Sequence, residues 1–201
     1  AEYLATTSHA SSAQLATVRL LSGGAIQENW LVDAEFSDGP HAGIQALVVR
    51  SDAASGVASS HGRAQEFALV KAAYDAGVTV PEPLSLCTDV RVLGRPFFVM
   101  RRIQGTASAH LICRPGSPWG GDRGELAERL GREMARIHSI RLPHPELEFL
   151  PSYDQAPSLY LIEKYRAFLD SHHTAYPALE WGLRWLERHA PQRDLVVLCH
   201  R

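Results

Sequence analysis

Three places in this sequence combine residue types that can do chemistry with positions able to present them. The first is Ser22-Gly23-Gly24, a hydroxyl followed by two residues without side chains. Such a segment lets backbone N–H groups approach phosphate oxygens closely, and it serves equally well as a plain hairpin turn. The second is Arg50 with Glu66, a guanidinium ending an apolar run and a carboxylate in the first turns of the next helical stretch. A guanidinium can fork onto phosphate oxygens while pairing with a carboxylate. The alternative is an exposed arginine and a solvated glutamate, since surface ion pairs are common and weak. The third is His200, directly after the apolar run Leu195-Val196-Val197-Leu198-Cys199, a position that reads first as a packed or hydrogen-bonded structural histidine.

Other reactive side chains form no pattern. His172-His173, His189 and Cys199-His200 do not fall at zinc-ligand spacing on one element. Cys87, Cys113 and Cys199 are widely separated, neither a disulfide framework nor a metal motif, and read as buried or incidental thiols. Asp154 and Glu163 give no motif, and Trp181 and Trp185, at helical spacing, read as core residues.

The elements that must position these groups follow from periodicity. Ala16 to Leu21, Glu28 to Phe36 and Ile44 to Arg50 read as three strands of an antiparallel meander, with Trp30, Val32, Ala34 and Phe36 on one face of the second. Turn formers lie between them, Ser22 to Gln27 and Ser37-Asp38-Gly39-Pro40. Ser51 to Gly62 is built of small residues and reads as a mobile loop, followed by a helix from Gly62 to Ala76 with Gly77 as its stop. Leu84 to Cys87 and Pro96 to Met100 read as two more strands around a hairpin-like connection. Beyond Gly105 the pattern becomes helical. Asp122 caps a helix whose face is Leu126, Leu130, Met134 and Ile137, and further helices run over Ser158 to Asp170 and Leu179 to His189. Leu195 to Cys199 reads as a final buried strand.

Composition narrows the function classes. The 201 residues carry 20 Lys and Arg against 22 Asp and Glu, a net charge of −2, which argues against a nucleic-acid binder acting through bulk positive charge. With 45% hydrophobic and 21% charged residues the chain is expected to build a packed core. No window approaches the roughly 18 to 20 apolar residues that span a bilayer, and the first ten residues lack the basic and apolar regions of an export signal. No membrane association and a cytoplasmic location are therefore expected.

Leu21-Ser22-Gly23-Gly24-Ala25, Arg50, Glu66-Phe67, Gly77-Val78-Thr79-Val80-Pro81-Glu82-Pro83, Gly94-Arg95-Pro96-Phe97-Phe98-Val99-Met100 and Leu198-Cys199-His200 together resemble the aminoglycoside phosphotransferase family. Within it the likeness is greatest to the branch that includes kinase-like domains of some acyl-CoA dehydrogenase proteins. It runs from about Leu15 to Arg201, and rests on the Gly94 to Met100 block and the spacing between elements.

The resemblance implies an α+β, protein-kinase-like, two-lobed fold. Residues 1–103 would form the nucleotide-binding lobe, an antiparallel sheet with one helix, and 104–201 the start of a helical lobe. It implies ATP and magnesium as cofactors and, as partner, a small hydroxylated acceptor such as an aminoglycoside or a hydroxyacyl-CoA thioester. Ser22, Gly23 and Gly24 would cover the phosphates. Arg50 would occupy the place of the kinase strand-three lysine and pair with Glu66. Met100, Arg101 and Ile103 would form the hinge, Met100 as pocket wall and the other two through backbone atoms facing the adenine. His200 would be a scaffold residue opening the catalytic loop. The catalytic Asp and the metal-holding Asn and Asp of that loop would come after Arg201, so no metal ligand is assigned within these residues, and this stretch alone is expected to be inactive. The alternative is a catalytically incomplete nucleotide- or ligand-binding module.

Overall fold

A computed structural model describes residues 1–21, 27–52, 61–119, 121–151, 156–172, 174–191 and 196–199. The chain divides into two compact units, Ala1–Ile140 and Arg141–Cys199.

In the first unit the described strands form one sheet, β1 (Ala13–Leu20), β2 (Gln27–Phe36), β3 (Gly43–Asp52), β4 (Pro83–Cys87) and β5 (Phe97–Arg101), in the order β1-β2-β3-β5-β4 with every neighbour antiparallel. The expected meander and its two later strands are thus present, with ends shifted by up to three residues. β3 continues past Arg50, so Ser51, read as loop, is buried in the strand, while 53–60 lie outside the described residues.

Period-two alternation gives the sheet two distinct faces. Trp30, Val32, Ala34 and Phe36 lie on one, as predicted, and pack with Leu47, Phe97 and Val99. That face is covered by a helix the sequence reading lacked, α1 (Glu2–Thr7), which buries Leu4 and Ala5 and sets Tyr3 edge-on to Phe97 at 5.1 Å. Six residues are too few for a stable isolated helix, so α1 owes its existence to this packing.

The opposite face carries α2 (Arg63–Asp75), whose Phe67 meets the fully buried Phe98 edge to face at 5.8 Å. α2 stops at the predicted glycine. Gly77 adopts φ 76°, its N–H donates to Tyr74 O at 2.9 Å and that of Val78 to Ala73 O at 3.0 Å, the paired bonds of a Schellman turn. The expected hairpin connection before β5 instead holds one helical turn, α3 (Val90–Leu93), capped by Asp89 Oδ1, which accepts from the Arg91 N–H at 2.9 Å. α4 (Ala109–Cys113) and α5 (Arg123–His138) complete the unit, and Asp122 caps α5 as expected by accepting from the Glu125 N–H at 2.9 Å.

The second unit holds a 3₁₀ turn (Pro145–Leu147), α6 (Pro157–Asp170) and α7 (Pro177–Arg188). Both helices open with proline, whose missing N–H costs nothing in a first turn. α6 packs on α7, burying Ile162 and Leu183, and Arg166 pairs with Glu180 at 3.3 Å and Glu187 at 3.1 Å. Two expectations fail in this unit. Trp181 and Trp185 are not core residues but 72% and 50% exposed, because the face α7 turns toward α6 is the one centred on Leu183. Val196–Cys199 form no strand, and Val196 and Cys199 are exposed rather than buried; Leu195 lies outside the described residues. Among the described residues no helix is long and apolar enough to cross a membrane.

Candidate functional site

Strand register lines up two rows of side chains on the α2 face of the sheet. Arg19, Leu31, Val48 and Met100 are successive partners across β1, β2, β3 and β5, and Asn29, Arg50 and Phe98 form the next row. A cleft of about 570 Å³ opens here, lined by Leu31, Val48, Met100, Arg50, Arg101 and Ile103 among others. Leu31, Val48 and Met100 offer a flat apolar wall of the kind a planar ring can stack on, with a guanidinium one row away.

The chain leaves the sheet along the cleft rim. The Arg101 N–H donates to Glu82 O and the Arg102 N–H to Ala46 O, both at 2.9 Å, and Ile103 beyond them is 65% exposed. Of the hinge atoms expected from the sequence, the Arg101 N–H is therefore committed within the protein, leaving the Arg101 carbonyl and the Ile103 backbone as candidates to meet a ligand. The Arg101 side chain turns away to Glu82 Oε2 at 2.7 Å and Gln45 Oε1 at 2.9 Å, which pins the rim. Arg102 pairs with Asp33 at 2.7 Å.

At the other end Arg50 and Glu66 do meet. Nη2 of Arg50 lies 2.7 Å from Oε1 of Glu66, with the two side chains 24% and 19% exposed. The same guanidinium donates from Nη1 to Asn29 Oδ1 at 3.3 Å and from Nη2 to Gln27 Oε1. Its Nε is buried, with no hydrogen-bond partner among the described residues. The Arg50 side chain keeps part of its surface on the cleft wall, so an anionic oxygen arriving there would meet an already oriented cation. The second oxygen of Glu66 accepts from Nη1 of Arg63.

Arg50, Glu66, Met100, Arg101 and Ile103 thus belong to one region, whereas Ser22, Gly23, Gly24 and His200 lie outside the described residues. Sequence reasoning missed Asn29, Leu31 and Val48, although alternation outward from Arg50 and the strand register would have found them. It also missed Arg63, whose signal is a cation at the first position of a helix that also carries Glu66. Among the described residues no three His, Cys, Asp or Glu side chains gather as a metal site.

Comparison with known proteins bears on the family and the fold. The model of the Phosphotransferase enzyme family matches residues 17–201. Mouse acyl-CoA dehydrogenase family member 10 is 31% identical over 148 residues, covering 71% of this chain and 13% of that protein. Human acyl-CoA dehydrogenase family member 11 is 27% identical over 186 residues, covering 87% of this chain and 23% of that protein. The crystal structure of a candidate aminoglycoside phosphotransferase from Ralstonia eutropha matches with a TM-score of 0.64 at 18% identity, covering 96% of this chain and 53% of that one, and shows the kinase-like α+β fold. The chain therefore spans about half of that structure and less than a quarter of the two dehydrogenase family members. On the family match over nearly its whole length, this chain belongs to the phosphotransferase enzyme family.

Proposed function

We propose that this chain supplies the nucleotide-holding part of an ATP-dependent phosphotransferase that moves the γ-phosphoryl group of ATP to a hydroxyl of a small molecule. The observation that carries the reading is the Arg50–Glu66 pair, 2.7 Å apart, beside the apolar wall of Leu31, Val48 and Met100 in one cleft. Adenine stacks on that wall, its polar edge meeting the carbonyl of Arg101 and the backbone of Ile103. Arg50, held by Glu66, Asn29 and Gln27, offers its remaining positive charge to the phosphates. Phosphoryl transfer gains from such positioning and charge stabilisation more than from covalent help.

The oriented, partly exposed Arg50 guanidinium on the cleft wall fits a phosphate oxygen. Magnesium enters the proposal through the family alone, and no step is assigned to it. The acceptor belongs to the hydroxylated compounds. Because two relatives are named as acyl-CoA dehydrogenase family members, hydroxyacyl-CoA thioesters stand beside aminoglycosides in the panel to be tried.

Nucleotide binding is tested first, by thermal unfolding with Mg-ATP. At 100 times its dissociation constant the ligand should add ~2.7 kcal/mol of stability. Stabilisation equal in the Arg50→Ala variant would sink the reading. Transfer is then followed from γ-labelled ATP to the acceptor panel; binding without any transfer favours the catalytically incomplete module.

A further inference from the structure

We infer that Arg63 is a positioning residue for nucleotide binding, holding Glu66 in place for Arg50 and fastening the start of α2 to the end of β3; this rests on the nucleotide reading of the cleft. Arg63 breaks two local rules. It is the first residue of α2, where the helix dipole disfavours a cation, and it is only 2% exposed, where an unpaired guanidinium is costly. Its surroundings explain its retention. Nη1 donates to Oε2 of Glu66 and Nη2 to the carbonyl of His61 at 3.1 Å. Nε lies 2.9 Å from Oδ1 of Asp52, an ion pair whose geometry falls short of an aligned hydrogen bond.

Glu66 gives one oxygen to Arg63 and the other to Arg50. The carboxylate is thus gripped from both sides, in the order Asp52, Arg63, Glu66, Arg50. The two ends of this chain of charges stand two residues apart on β3, so Arg63 reaches that strand by two routes. It does so directly through Asp52 and indirectly through Glu66. A glutamate held only by Arg50 would keep its rotamer freedom, and Arg50 would lose its fixed direction. Arg63 removes that freedom before any ligand arrives, which is how preorganisation lowers the cost of binding.

The test is a double-mutant cycle on Mg-ADP affinity, with unfolding curves of each variant to establish that it is folded. Arg63→Met should weaken binding about tenfold, the equivalent of about 1.4 kcal/mol. Arg63→Lys should restore part of the loss, because an ammonium can serve one carboxylate but not both. In a Glu66→Gln background Arg63→Met should cost little more than Glu66→Gln alone. Losses that simply add in that background, or a folded Arg63→Met with unchanged affinity, overturn the role. Asp52 is partly exposed, so Asp52→Asn loosens the Arg63 anchor without emptying a buried site. Should Arg63→Met fail to fold, unchanged affinity in Asp52→Asn decides against the inference and a two- to threefold loss, about 0.5 kcal/mol, supports it. Failure of the unsubstituted chain to bind Mg-ADP overturns the nucleotide reading and this inference together, an outcome distinct from normal binding in the Arg63 variants.

Discussion

Thr79 gives both of its donors to one carboxylate: its N–H reaches Oε2 of Glu133 and its hydroxyl Oε1, each at 2.8 Å. The contact joins the turn after α2 to α5, across 54 residues of sequence. The Thr79 N–H, then the Thr79 hydroxyl, hold the Glu133 carboxyl below the ordinary glutamate range; burial opposes them, and Arg136 adds a lesser lowering. A carboxylate whose folded pKa is depressed contributes stability that is full above its unfolded pKa and is lost as pH falls through the folded value. Thr79→Val or Glu133→Gln should therefore lower the unfolding temperature near neutral pH. The deficit relative to the unsubstituted chain should shrink in acid; a deficit independent of pH would show that the ion carries none of it.

Arg50→Lys should weaken Mg-ATP binding about tenfold while leaving the unfolding temperature nearly unchanged. The guanidinium serves Glu66, Asn29 and Gln27 at once, in a fork that a lysine ammonium cannot reproduce. Isothermal titration reads the result directly. Equal affinities would mean that the fork adds nothing to a point charge.

How far the sequence foretold these relationships depends on the range over which each is decided. The inward face of β2 was legible because alternation is local and four apolar residues, Trp30 to Phe36, fall on one side. Arg50 and Glu66 were legible because a strand end and the first turn of the next helix are close in chain order and opposite in charge. α1 was not, since Leu4 and Ala5 gain a reason to be helical only when the sheet is there to cover. Arg63 was hidden by the ordinary rule that an arginine near a helix start is solvated. Its burial depends on two carboxylates, one of them on a different element. Trp181 and Trp185 were misread for the converse reason: helical spacing marks a face without saying whether anything packs on it.

Phe98→Ala should cost about 3–5 kcal/mol in urea-induced unfolding. Phe98 is 1% exposed, stands opposite Arg50 in the β3–β5 register and carries the ring of Phe67 from α2. The cavity left behind would loosen both the strand beside Arg50 and the helix bearing Glu66, so nucleotide affinity should fall as well. Phe67→Leu keeps most of the volume and forfeits chiefly the edge-to-face contact. Its expected cost is about 1 kcal/mol, and a loss as large as that of Phe98→Ala would contradict the packing order.

Gly77→Ala isolates a purely conformational cost. The residue sits at φ 76°, and a methyl group built on it would meet nothing within 4 Å, so sterics with the rest of the protein are not at issue. What remains is the left-handed backbone, worth about 1–2 kcal/mol against an ordinary L-residue. Gly77→Asn should recover part of this, because asparagine tolerates the conformation better. The turn delivers the chain from α2 to Thr79 two residues later, so the variant should also weaken the hold on Glu133. Double-mutant analysis of Gly77→Ala with Thr79→Val checks this: a combined loss smaller than the sum shows that the glycine turn places Thr79, and strict additivity shows that it only ends the helix.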